Sequence, residues 1–116
     1  MTLNRLITGM VLILSVGCVS FSAYHVDAHN KTDAVIRKAK VTFDNGRDFE
    51  WGAMGSNIQA GMWPMTGRLG RRATVEWEDV DHRRHTQQVE IPHGSWNAIK
   101  FVIGQDGGVK VETTQQ

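Results

Sequence analysis

The sequence predicts an all-β protein: a small antiparallel β-sandwich or open barrel of about six or seven strands, preceded by an N-terminal export signal helix. Three observations carry this expectation. Apolar and polar residues alternate with period two through most of the chain beyond residue 35, as in half-buried strands. Two glycine-containing turns close hairpins whose registers agree in side-chain parity and in charge. Beyond the leader, no segment has a helical period.

The leader comes first. Arg5 precedes an apolar run from Leu6 to Val19, and a polar stretch from Tyr24 to Asp33 follows. The run is shorter than the ~20 residues of a membrane-spanning helix and matches the ~7–15-residue core of a secretory signal. Residues 1–23 are therefore expected to be a signal peptide or membrane anchor, residues 24–34 a polar tether, and residues 35–116 a single β domain. Three fates of the leader fit its residues. Val26-Asp27-Ala28 and Ser20-Phe21-Ser22 both match the small-x-small pattern of a cleavage site. Ser15-Val16-Gly17-Cys18 resembles a bacterial lipobox at its last three positions, with Ser15 where that pattern has a large aliphatic residue, and this makes Cys18 the lipidation candidate. Continued through Ala23, the run approaches the length of a retained anchor. Each fate places the domain across the membrane, because Arg5 favours a cytoplasmic N-terminus. The expected location is the periplasm, free or tethered to the membrane.

Cys18 is the single cysteine, so the chain has no internal disulfide and no cysteine-based metal site. A disulfide-free exported domain must be held by its core, which suggests a bacterial protein and discounts the glycosylation pattern Asn30-Lys31-Thr32.

Strands follow from the alternation. Ala39, Val41 and Phe43 alternate with Lys38, Lys40 and Thr42; Phe49, Trp51 and Ala53 with Asp48, Glu50 and Gly52; Ala73, Val75 and Trp77 with Thr74, Glu76 and Glu78. Val89 and Ile91, then Ile99, Phe101 and Ile103, then Val109 and Val111 continue the pattern. A two-residue Asn45-Gly46 turn would set Phe43 opposite Asp48, mixing buried and wet faces. A three-residue Asp44-Asn45-Gly46 turn restores parity, with Gly46 in the left-handed position of a bulge. Val41 then faces Phe49, Ala39 faces Trp51, and Lys40 faces Glu50 on the wet side, a pair worth roughly 0.2–1 kcal/mol. By the same logic Gln105-Asp106-Gly107 pairs Ile103 with Val109, Phe101 with Val111 and Lys100 with Glu112. The hairpin around Asp79 to His85 lacks a glycine, so a longer loop of open register is expected there. Gly55, Gly61, Gly67, Gly70 and Pro64 mark residues 55–70 as a long loop with one short strand near Ile58.

Composition limits the function classes. Arg5 is the one charged residue before Cys18, so the rest of the chain carries as many basic as acidic residues, 12 of each. That balance argues against electrostatic nucleic-acid binding. A domain this small buries only about 60–65% of its unfolded surface and has little room for an enclosed pocket. There is no nucleophile elbow, phosphate loop or zincin helix, and neither catalytic residues nor a cofactor are expected.

Three clusters remain as candidate sites. Met62-Trp63-Pro64-Met65 is an apolar tetrapeptide that no alternating strand accounts for; since tryptophan is enriched at binding hot spots, Met62, Trp63 and Met65 are binding candidates. The alternative is a loop folded over one end of the core. Arg68, Arg71 and Arg72 crowd the same segment and, with Arg83 and Arg84, make a candidate patch for lipid headgroups or an acidic partner, against the alternative of arginines neutralised by Glu76, Glu78, Asp79 and Asp81. Asp81-His82-Arg83-Arg84-His85 is the densest polar cluster. It makes His82 and His85 weak metal candidates, with the third ligand a catalytic site needs left open among Asp79, Asp81 and His93. The alternative is an exposed turn. Trp51 and Trp77 fall on inward faces, and Trp96 fits either role.

The stretches Ala73–Asp81, His85–Pro92 and Ile99–Ile103 resemble small uncharacterised bacterial lipoproteins, some of them similar to accessory or immunity proteins of contact-dependent secretion systems. Where that family has a glycine in the middle turn, this chain has His82. The resemblance implies a binding protein. The expected function is thus a non-catalytic cell-envelope interaction module, membrane-attached through its N-terminus. Its expected partner is a protein of the envelope, a toxin it neutralises among the candidates. A small metal protein using His82, His85 and His93, or a glycan binder using exposed tryptophans, are the alternatives.

Overall fold

A computed structural model describes residues 24–65 and 68–115, without the side chains of residues 62–65. The expected signal helix and Cys18 lie outside the described residues, as do the side chains of Met62, Trp63 and Met65. The described residues form eight strands: β1 (Tyr24–Asn30), β2 (Ile36–Phe43), β3 (Asp48–Met54), β4 (Gln59–Met65), β5 (Arg72–Glu78), β6 (Arg84–Glu90), β7 (Ala98–Ile103) and β8 (Val109–Thr114). They make two four-stranded sheets, ordered β4-β1-β7-β8 and β3-β2-β5-β6, that do not close into a barrel. The all-β expectation holds, as a sandwich, with no helix among the described residues.

Two elements are more than the sequence promised. The stretch expected as a tether is strand β1, in the middle of its sheet, antiparallel to β4 and parallel to β7. Its polar His25, Asp27 and His29 face outward, while Val26, Ala28 and Asn30 are buried. A cut after Ala28 would remove most of this strand, whereas one after Ser22 would leave it whole. β1 and β7 form the one parallel pair among the described residues; parallel neighbours need a long crossover, and here the whole second sheet lies between them in sequence. The stretch expected as a long loop contains β4, an edge strand, where Pro64 is tolerated because one side of the ladder is unused.

Two hairpins fold as expected. Phe43 and Arg47 close the first turn, with Gly46 at φ +91°; Gly104 and Gly108 close the last, with Gly107 at φ +84°. The registers Val41↔Phe49, Lys40↔Glu50, Ile103↔Val109, Phe101↔Val111 and Lys100↔Glu112 are all present. One pairing differs. Gly52 rather than Trp51 stands opposite Ala39, because the first pair bulges at Lys38 (φ +53°) and Gly52 (φ +70°). Trp51 is consequently only half-buried. The middle turn is not longer: Asp79 and Arg83 close it around Val80, Asp81 and His82, with His82 at φ +62° in the place of the other turns' glycine.

The core fills the space between the sheets. Phe43 meets Phe49 edge-on at 5.7 Å and Phe101 of the opposite sheet at 6.0 Å, contacts worth about 0.5–1.5 kcal/mol each beyond their burial. Trp77 is buried as expected.

Candidate functional site

The two ends of the sandwich differ in chemistry. β5 runs from Arg72 at one end to Glu78 at the other, a separation of about 20–23 Å.

At the first end, where β1, β5 and β7 begin, a groove of about 350 Å³ carries Arg68, Arg71 and His93 between Tyr24 and Trp96, and no carboxylate lines it. The segment from Arg68 to Arg71 is clamped by the first hairpin turn. Asn45 Nδ2 donates to the Arg68 carbonyl at 3.0 Å, and the Asp44 carboxylate accepts from the Arg71 N–H at 3.0 Å. Gly70 is required here, because a Cβ would sit inside the Asp44 carboxylate. Tyr24 and Trp96 meet edge-on at 6.5 Å. Trp96 Nε1 donates to the Pro92 carbonyl, and Arg47 Nη1 donates to the Tyr24 hydroxyl at 2.9 Å. Burial pushes the Tyr24 pKa up, and the Arg47 guanidinium partly opposes this. Among the described residues neither Arg68 nor Arg71 forms an ion pair, whereas Arg72 pairs with Glu90 at 3.1 Å on the outer sheet face.

At the far end a cleft of about 380 Å³ is lined by Asp33, Asp79, Asp81 and Asp106, with His85 and Trp77 beside them and no lysine or arginine. These groups hold the turns. Asp79 Oδ1 accepts from the N–H groups of Asp81 and Arg83, and Asp79 Oδ2 lies 2.7 Å from His85 Nε2. The His85 ring stacks on Trp77 at 5.1 Å. His82 turns away to Glu78, with Nδ1 at 3.0 Å from Oε1. Hydrogen bonding from His82 holds the Glu78 carboxyl below its ordinary pKa, and hydrogen bonding from His85 does the same for Asp79. Beneath the cleft, the buried Asn30 amide donates to the carbonyls of Ala34, Met54 and Gly55, while its oxygen accepts from the Thr32 N–H and hydroxyl.

The sequence-derived candidates sort between these ends. Arg68, Arg71 and Arg72 converge on the basic end, and Met65, paired with Tyr24, brings β4 there; Arg83 and Arg84 do not join them, because they stand at the far end, in and after the Asp79–Arg83 turn. Met62 and Trp63 lie on a strand rather than in a loop. His82 and His85 engage separate carboxylates, and His93 is at the opposite end, so the three histidines do not meet; no group of three His, Cys, Asp or Glu side chains suited to a metal ion occurs among the described residues. Sequence reading missed Tyr24, Arg47 and Asp44 as parts of the basic end. For Tyr24 a signal existed, since Tyr24, Val26 and Ala28 alternate with His25, Asp27 and His29. Arg47 and Asp44 carry no local pattern that announces them.

No protein-family model matches the chain, and no curated protein does. An NMR structure of a protein from Eubacterium rectale is similar in fold, with a TM-score of 0.62 and 17% identity, over 81% of this chain and 90% of that one. At that identity the likeness speaks for the fold alone.

Proposed function

We propose that this protein is a non-catalytic interaction module of the bacterial cell envelope, delivered across the membrane by residues 1–23, that binds an acidic surface through its basic, aromatic end. The observation that carries this reading is the groove between Tyr24 and Trp96. Its arginines are fixed through the backbone by Asp44 and Asn45, and their guanidinium groups form no ion pair among the described residues. A rigid aromatic pair beside positioned cations is the composition of a binding hot spot. An accessory or immunity-like role, with an acidic protein as partner, is one form of this function.

Photo-crosslinking in native membranes tests it. A photoreactive residue at position 93 of the full chain should capture one dominant species, and Arg68→Glu with Arg71→Glu should abolish capture while leaving the melting temperature unchanged. Capture from position 80 at the far end, with none from 93, would overturn the assignment of the site.

A further inference from the structure

We infer that the acidic surface met by this end is the anionic headgroup layer of the membrane the leader enters, so that the domain stands on the bilayer with its acidic cleft facing away. This rests on the basic end being the binding surface and on the apolar run remaining attached.

Chain length supplies the first argument. β1 is central in its sheet, so the position at which the chain arrives is fixed at Tyr24, on the rim of the basic groove. Only Ser20, Phe21, Ser22 and Ala23 separate Tyr24 from the end of the apolar run. Fully extended, the path from Val19 to Tyr24 spans at most about 18 Å, and from Cys18 about 22 Å. A flexible stretch over residues 24–34 would have added about 35–40 Å of reach, but those residues are built into the fold down to the Asn30 network. With the apolar run in the bilayer, the basic end therefore lies close to the headgroup layer, which is about 5–8 Å deep. The acidic cleft stands about 20 Å further out.

Chemistry supplies the second. The groove presents arginines and a histidine with no carboxylate, which complements an anionic leaflet; each cation near such a surface contributes roughly five-fold in affinity. Tyr24 and Trp96 are the residue types that settle at membrane interfaces, apolar in the ring and polar at the tip. The opposite arrangement would press Asp33, Asp79, Asp81 and Asp106 against the same negative surface, and of the arginines at that end, Arg83 and Arg84, the second is already paired with Glu76.

The test uses the full chain in nanodiscs whose lipids carry a headgroup spin label, with a genetically encoded fluorescent residue at position 93 or at position 106. Fluorescence at 93 should be quenched several-fold in nanodiscs containing about one-third anionic lipid, while 106 stays bright. Arg68→Glu with Arg71→Glu should return 93 to the level seen in purely zwitterionic nanodiscs. Equal quenching at the two positions, or quenching at 93 that ignores both lipid charge and charge reversal, overturns the inference. If position 93 nevertheless captures an envelope protein in an Arg68- and Arg71-dependent way, the binding end stands and only its lipid assignment falls. If neither assay depends on the arginines, both fall.

Discussion

The cleft at one end of this sandwich is lined by carboxylates and the groove at the other by arginines, and the two use their charge differently. At the acidic end most of the charge is spent on architecture. Asp79 organises its turn and holds His85, Asp33 accepts from Gln105 Nε2, and Asp106 accepts from the Gly108 N–H. At the basic end the backbone of the Arg68–Arg71 segment is held in place while the guanidinium groups are left to meet something else. Charge consumed by internal hydrogen bonds stabilises; charge that is positioned but unpaired is available to a ligand. The difference predicts that substitutions at the acidic end act on stability, and that charge changes at the basic end act on binding.

The largest effect should come from the hub under the acidic end. Asn30→Ala removes five side-chain hydrogen bonds and strands buried carbonyls, a loss expected to reach about 3 kcal/mol and measurable by denaturant unfolding. A loss under about 1 kcal/mol would mean that this end is not held by its polar groups.

At the basic end, stability resides in the clamp rather than in the arginine side chains. Gly70→Ala forces a methyl group into the Asp44 carboxylate and should cost about 1–3 kcal/mol. Arg68→Gln should change stability by less than about 0.5 kcal/mol, as exposed substitutions usually do. If Arg68→Gln proves as costly as Gly70→Ala, the guanidinium has an internal role and the contrast between the ends breaks.

A smaller effect, of opposite sign, separates the three turns. Gly46 and Gly107 occupy the left-handed position without a steric penalty, whereas His82 occupies it with a side chain. His82→Gly should therefore stabilise the protein by about 0.5–1 kcal/mol, the relief of about 1–2 kcal/mol of left-handed strain outweighing both the greater freedom of the unfolded chain and the exposed contact with Glu78. Destabilisation would show that the His82–Glu78 link is worth more than the strain.

That turn also shows where sequence reading reached and where it stopped. Parity and a turn glycine gave the last hairpin's register, and the first's as far as Lys40↔Glu50, before the bulge at Lys38 and Gly52 shifts it, because both signals are local. The middle turn has the same geometry, but its left-handed residue is a histidine supported by the Glu78 and Asp79 contacts, and no propensity rule anticipates that. β1 carried only a weak alternation, because its inward residues beyond Val26 are the small Ala28 and the amide-bearing Asn30. Asn30 reads as a loop residue until the carbonyls of Ala34, Met54 and Gly55 are brought around it. β4 was hidden by Gly61 and Pro64: a close approach of Asp27 needs the first, and an edge position permits the second. The arginines of the basic end were legible as a cluster. Their separation from the acidic residues thought to neutralise them was not, because it depends on which end of each strand faces which way.

The last and smallest test is acid titration. Glu78 and Asp79 have folded-state pKa values below the ordinary 4.5 and 3.8, held down first by hydrogen bonds from His82 and His85 respectively. A carboxylate with a depressed folded pKa adds stability that is present above its ordinary pKa and is lost as pH falls through the folded value. The melting temperature should therefore decline as pH drops below about 4.5 toward 3. Asp79→Asn should begin less stable and decline less over the same interval, because the charge that binds the proton on unfolding is gone. Arg68→Gln should leave the acid limb unchanged. Identical acid limbs in the wild type and Asp79→Asn would mean that Asp79 contributes no linked stability. The Asp79 carboxylate would then be as idle toward the fold as the Arg68 guanidinium, and its cleft would become the next surface to probe for a ligand.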